Sequence, residues 1–291
     1  MEKAILKTLV YGDLFDFPMK AWEIHKWLVN KKGGLREVER SLNKLRQKAK
    51  VKSQKEYYFL ADRKGLVNQR IKKEEVSKWY LKQAYFVAAL FRIIPWVKLV
   101  GVSGSVAMEN AKKVDDIDFF IITQKNRLWI SRILLLLILE LSDKRRKRGE
   151  DLKKVSGKVC INLIVDEERV GISKKDIYSA HEILQMRVLW QRNGVYQKYL
   201  EENEWAFKFL PNWTTNQRLM MKDERLKNKS SIINHKSLIN IMEGICKWVQ
   251  LRYMGTPSGK EKILNGALFF HPQDYREKIL KEFKERLADF S

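Results

Sequence analysis

Apolar residues at helical spacing open the chain: Ile5, Leu6, Leu9 and Val10 share one face over residues 2–15, and Pro18 then resets the backbone. The stretch KAWEIHKWLV predicts a second short helix, broken by Gly33-Gly34. LREVERSLNKLRQKAK predicts a third, with Leu35, Val38, Leu42 and Leu45 along one stripe. VKSQKEYYFLA then reads as two short β-prone pieces around a polar turn. Three helices followed by a β-hairpin is the order of a winged helix, which we assign to residues 1–62.

Residues 63–94 are helical in pattern and end before Pro95. VKLVGVSG predicts a strand, residues 105–113 a short helix, DIDFFIIT a second strand, residues 125–147 a long helix, and KVCINLIV (158–165) a third strand. Alternating strands and helices imply an α/β layer, here residues 63–170. From residue 173 the periodicity is helical to the end, apart from turns at Pro211, GTPSG and Pro272, giving a helical C-terminal domain over residues 171–291. No internal repeat or low-complexity linker divides the chain. The expected fold is a multidomain α/β (α+β) protein: an N-terminal winged helix, a central domain with a short mixed sheet, and an α-helical C-terminal domain.

Composition narrows the class. A hydrophobic content of 45% and an aromatic content of 11% argue for a folded protein. The two cysteines, Cys160 and Cys246, are far apart and lack CxxC or Cys/His spacing, which argues against a disulfide framework or a zinc site. The start MEKAILKTLVYGDLFDF has scattered acids and is not expected to be a signal peptide. The most apolar run, LWISRILLLLILEL (128–141), is interrupted by Arg132 and Glu140. It falls short of the ~20 residues of a membrane span, so a buried helix and a cytoplasmic protein are expected. The formal net charge of +23 attracts polyanions such as nucleic acid, nucleotides or an anionic membrane surface, although a solubilising Lys-rich surface has the same composition.

One stretch carries specific chemistry: SGSVAMENAKKVDDIDFFIIT, residues 103–123. A strand delivers the chain into Ser103-Gly104-Ser105, where a glycine lets backbone N–H groups approach an anion and a following helix would add its positive end. Asp116 and Asp118 lie two apart on a strand, so they share a face while Ile117 takes the other. Two carboxylates beside a phosphate cradle make a hard-oxygen site for Mg²⁺. An isolated D-x-D is nearly uninformative; its spacing from Gly-Ser between two apolar strands makes it selective.

This stretch resembles the signature of the polymerase-β-like nucleotidyltransferase superfamily. The front winged helix, KVCINLIV, DIYSAHEILQMRVLW, FLPNW and HPQDYREKILKEF are similar to a little-characterised group of nucleotidyltransferase-like proteins. The resemblance implies that Gly104 and Ser105 hold the triphosphate of an NTP. It also implies that Asp116 and Asp118 bind catalytic Mg²⁺, or Mn²⁺, and that a nucleotidyl group passes to an acceptor hydroxyl. The superfamily's third carboxylate is missing from the next strand, where Asn162 is the only strongly polar residue. Asn162 is therefore expected at the third catalytic position. An amide oxygen can ligate Mg²⁺ but is a poor base, so the site would be slow, borrow Asp176 or Glu182, or bind nucleotide without turnover.

Other candidates compete with simpler readings. The run DKRRKRGEDLKK (143–154) would contact phosphates or form a solvated helix end. His181-Glu182 would move protons or be structural. Trp205, Trp213 and Trp248 would stack a base or fill the core. Arg36, Arg40, Lys44, Arg46, Lys48 and Lys50 suit a recognition helix on nucleic acid, or a protein contact. The leading expectation is Mg²⁺-dependent nucleotidyl transfer from an NTP. The alternatives are a catalytically weak nucleotide- or nucleic-acid-binding regulator acting through residues 1–62, and a scaffold with a vestigial pocket.

Overall fold

The computed structural model describes residues 1–61, 63, 65–147, 150, 155–213, 236–254, 262–264, 266–269 and 275–290. The front of the chain runs α1 (Glu2–Asp13), β1 (Met19–Lys20), α2 (Ala21–Lys26), α3 (Leu35–Gln47), β2 (Val51–Gln54) and β3 (Tyr57–Leu60). The strands pair antiparallel in the order β1-β3-β2. Val38, Leu42 and Leu45 of the predicted stripe are buried, whereas Leu35, in the first turn of α3, is exposed. β1, two residues long, is an addition that the helical pattern around it concealed.

The 26-residue helix α4 (Leu66–Phe91) leads into β4 (Val97–Val102), α5 (Gly104–Ala107), β5 (Ile117–Thr123), α6 (Leu128–Leu141) and β6 (Val159–Asp166). The three strands expected between residues 97 and 166 all form. The chain continues as α7 (Ile177–Gln185), β7 (Arg187–Gln191), α8 (Val195–Glu202) and α9 (Ala206–Phe209). Then come α10 (Lys236–Met254), β8 (Lys262–Leu264), β9 (Ala267–Phe269) and α11 (Arg276–Ala288). The expectation of helix from residue 173 onward is therefore corrected: β7, β8 and β9 complete a six-stranded sheet of order β7-β4-β5-β6-β9-β8. β7 takes the free edge of β4, with Val102 opposite Arg187, so tertiary pairing overrides a helical local pattern. The expected turns at GTPSG and Pro272 lie outside the described residues.

The sheet is mixed. β5 and β6 are parallel across the α6 crossover, and all other neighbours are antiparallel. Ile117, Phe119 and Ile121 pack with Phe91 of α4 and Leu135 and Leu139 of α6 on one face. Phe120 and Ile122 pack on the other face in a core shared with α1, α7 and α8. Two covered faces explain why β5 is apolar along its length after Asp118. The alternation puts Asp118 on the side of Phe120, towards α7. Among the described residues no helix is long and apolar enough to cross a membrane.

The front helices share one apolar core with residues 177–213, from Ile5 and Leu28 through to Leu184 and Trp213. A polar clamp reinforces the contact. Arg70 of α4, 1% exposed, lies over the Phe17 ring. Its Nη2 donates to Glu23 Oε1 at 3.0 Å and its Nη1 to the Glu109 carbonyl oxygen at 2.5 Å. A buried guanidinium with a carboxylate and a carbonyl in reach fixes the loop after α5 against the front unit.

Candidate active site at the head of the central strands

β4 delivers the chain to Ser103, whose N–H donates to the Asp118 carbonyl oxygen at 2.9 Å. Gly104 follows at φ +63°, and a Cβ there would lie 2.9 Å from Asp118 Oδ2. The turn presses so closely on the carboxylate, in a left-handed conformation, that only glycine fits without displacing it. The helix expected over residues 105–113 is shortened to the single turn of α5, because Glu109 turns the backbone to φ 55°. A single turn carries little macrodipole, so anion binding here would depend on loop N–H groups rather than on a helix end. The Ser105 hydroxyl donates to Asp115 Oδ2 at 3.1 Å, an oxygen that also accepts from Lys112 N at 2.9 Å.

The other functional groups come from β5, β6 and the chain between them. Asp116, Asp118 and Cys160 offer ligand atoms within 4.8 Å of one another. On the parallel ladder Asp118 is paired with Cys160. Asn162, expected at the third position, falls at an irregularity where the register steps from Phe119↔Ile161 to Phe120↔Leu163, and it is buried. The Cys160 thiol lies beside the aspartates, ahead of this irregularity. Arg146 approaches from the basic run: its Nη1 donates to Asp116 Oδ2 at 2.5 Å. Residues 148, 149 and 151–154 of that run lie outside the described residues.

The electrostatics follow from crowding three acidic groups around one cation. Burial drives the Asp118 carboxyl well above the usual range; the neighbouring Asp116 charge adds to this and Arg146 opposes it. Burial, with both carboxylates beside it, also pushes the Cys160 thiol up, so it is a neutral S–H near neutral pH. Glu182 of α7 is raised to about 7 by burial, while its hydrogen bond from Gln185 works in the opposite direction. Its charge reaches Asp118.

Several sequence candidates lie elsewhere. His181 is buried, stacked on Tyr11 with centroids 4.1 Å apart and tilted on Trp27. Asp176 caps α7 by accepting from Ser179 N and pairs with Arg276. Trp205 and Trp213 are core residues, and Trp248 is exposed on α10. Cys160 was missed beside the acid pair, and Arg146 was considered only as part of the basic run 143–154. Arg146 is one arginine in a cluster, and Cys160 gains its place only from the strand register.

Two carboxylates suit a Mg²⁺ ion that completes its shell with water and phosphate oxygens, which is the usual way this cation binds. The soft thiol of Cys160 does not supply the third hard ligand of a three-carboxylate site. Asp116 and Asp118 thus fit one hard divalent cation.

No family model and no curated protein matches the chain. A solved structure described as "Crystal structure of the toxin-antitoxin with AMP-PNP" is similar at 17% identity and a TM-score of 0.23, covering 51% of this chain and 90% of that one. A likeness of this size fixes neither the fold nor the activity.

Proposed function

We propose that the protein transfers a nucleotidyl group from an NTP to an acceptor hydroxyl, with Asp116 and Asp118 holding Mg²⁺ and the Ser103–Ser105 turn facing the phosphates. The observation that carries this reading is the convergence of Asp116 and Asp118, with ligand atoms within 4.8 Å of each other, beside the Gly104 turn. When bound, the cation would supply charge neutralisation at the phosphates. The chain's own residues do the rest. Gly104 keeps the turn close, and Ser105 is held by Asp115. The Cys160 thiol cannot serve as a base near neutral pH. Glu182, whose carboxyl is raised to about 7 and whose charge reaches Asp118, would be the candidate base in this reading. In this reading residues 1–62 form a winged-helix module, and the six-stranded sheet, with β7, β8 and β9 supplied from beyond residue 170, carries the nucleotidyltransferase site.

The test is incubation of the full chain with each α-labelled NTP, Mg²⁺ or Mn²⁺, and cell extract. Label transferred to an acceptor, abolished in Asp118→Asn, is the expected result. Absence of transfer with all four nucleotides would contradict it.

A second reading has its own support. Among the described residues a thiol, Cys160, rather than a third carboxylate converges with Asp116 and Asp118, and Arg36, Arg40 and Lys44 of α3 are exposed, as are Lys52 and Lys55. A nucleotide-binding regulator that contacts nucleic acid through residues 1–62 fits both facts. Its binding would fall by roughly a thousandfold between low and moderate salt if six or more phosphates are neutralised. Binding insensitive to salt would exclude it.

A further inference from the structure

We infer that Arg146 is a resident cation of the acid pair: it holds Asp116 in the metal-free protein and passes to the nucleotide phosphates when a metal–nucleotide complex binds. The inference rests on the nucleotidyl-transfer reading above and assigns a residue that reading does not need.

The backbone fixes where Arg146 stands. β9 pairs with β6 only along Leu163–Val165, leaving the edge near Val159 to another partner. The chain before β6 fills it: Val159 N donates to the Lys144 carbonyl oxygen at 2.7 Å, and Arg146 N donates to the Val159 carbonyl oxygen at 3.1 Å. Arg145 forms a parallel bridge with Val159. The Arg146 side chain therefore leaves a short, hydrogen-bonded strand-like segment directly beside Cys160 and the aspartates.

Its neighbours are committed elsewhere. Lys144 Nζ bonds to Gln83 Oε1 at 2.8 Å, Arg145 and Lys147 pair with Glu140, and Lys158 pairs with Glu150. Among the described residues of this run, Arg146 alone reaches the acid pair. The pair is also half-open: the side chains are 31% exposed for Arg146 and 15% for Asp116, so the guanidinium can turn towards an incoming anion without leaving a packed core.

Competition then follows from charge. Asp116 Oδ2 cannot give its full interaction to a guanidinium and to a divalent ion, and two cations on one oxygen repel each other. The planar fork of arginine matches two phosphate oxygens as well as it matches a carboxylate. A metal–nucleotide complex offers a divalent ion to Asp116 and phosphates to Arg146, so both partners are exchanged at once. A bare metal ion offers only the first half of that exchange and must displace the arginine without compensation.

The two ligands should therefore respond in opposite directions. The full-length protein is titrated with Mn²⁺ alone, reading free Mn²⁺ by electron paramagnetic resonance. Separately it is titrated with ATP, GTP, CTP and UTP at saturating Mg²⁺ by calorimetry. For Arg146→Met, which keeps the apolar stem, Mn²⁺ alone should bind about tenfold more tightly and nucleotide about tenfold more weakly. Arg146→Lys keeps the charge and loses the fork, so Mn²⁺ affinity should stay near wild type while nucleotide affinity falls. A purely structural salt bridge would lower both affinities together or change neither, and either result in a variant with a wild-type thermal melt overturns the inference. If Arg146→Met does not fold, unchanged nucleotide affinity in Arg146→Lys overturns it. If the wild type binds no nucleotide, the transfer reading fails; the Mn²⁺ arm alone then decides, with tighter binding in Arg146→Met supporting the resident cation and unchanged binding overturning it.

Discussion

The two ends of the β5–β6 strand pair carry nearly the same local ingredients. At one end Gly104, φ +63°, sits against the Asp118 carboxylate; at the other Gly266, φ +81°, sits against the Asp166 carboxylate. Burial pushes both carboxyls up. Yet Asp166 is a completed turn: its Oδ1 accepts from Glu168 N at 2.9 Å, and its own N–H donates to the Gly266 carbonyl oxygen at 2.8 Å. Asp118 instead faces Asp116, Cys160 and the Arg146 guanidinium. A glycine beside a buried acid is thus a packing motif. Convergence of a second acid and a partly exposed arginine turns one copy of it into a candidate site.

This contrast is open to mutation, and the largest difference should lie in the acids. Asp116→Asn or Asp118→Asn should weaken Mg²⁺–NTP binding by roughly a hundredfold, since each removes a charged ligand. Asp166→Asn should leave that affinity unchanged and alter only the melting temperature. Calorimetry on the three variants checks this, and a matching loss in Asp166→Asn would dissolve the distinction.

Glu182 gives the next effect, and it depends on pH. Its carboxyl is raised to about 7 from an ordinary value of 4.5, so the folded state holds its proton more tightly than the unfolded state. The associated stability is fully present below the unfolded value and is lost as pH rises towards 7. Glu182→Gln should therefore match wild type near pH 4 and exceed it by about 2 kcal/mol at pH 8. It should also let Asp118 ionise at lower pH, because a neighbouring negative charge is gone. Denaturant melts at both pH values test the first part; identical differences at pH 4 and pH 8 would show that Glu182 does not titrate there.

The glycines give the smallest effect and sharpen the comparison most. Gly104→Ala and Gly266→Ala should each cost about 1–2 kcal/mol, because both backbones lie in the left-handed region and both methyl groups meet a carboxylate. Only Gly104→Ala should also reduce nucleotide binding. Equal stability losses with binding lost in neither variant would separate the Ser103–Ser105 turn from the ligand.

The legible parts of this sequence are those where one physical signal acts alone. β4 runs into Ser103-Gly104, β5 is apolar after its opening acids and β6 ends at Asp166, and Asp116 and Asp118 announce their shared face by spacing. β7 was hidden because α7 passes into it through Met186 with no glycine, proline or asparagine to mark the break. The strand exists because β4 offers an unpaired edge, which is a tertiary fact. Cys160 stands beside the aspartates through its pairing with Asp118 on the parallel ladder, and strand register leaves no trace in composition. Arg146 lies 30 residues beyond Asp116 in a cluster of like charges. Which member of such a run meets an acid is settled by backbone pairing with Val159.

The central claim is that the Asp116–Asp118 end of the sheet binds an NTP through a divalent cation. The most direct test is calorimetric titration of the wild-type chain with each NTP at pH 8, once with Mg²⁺ and once with a chelator. Binding of at least one NTP that requires Mg²⁺ and disappears on chelation is the predicted result. Binding of equal strength in the chelator, or none under either condition, would contradict the account.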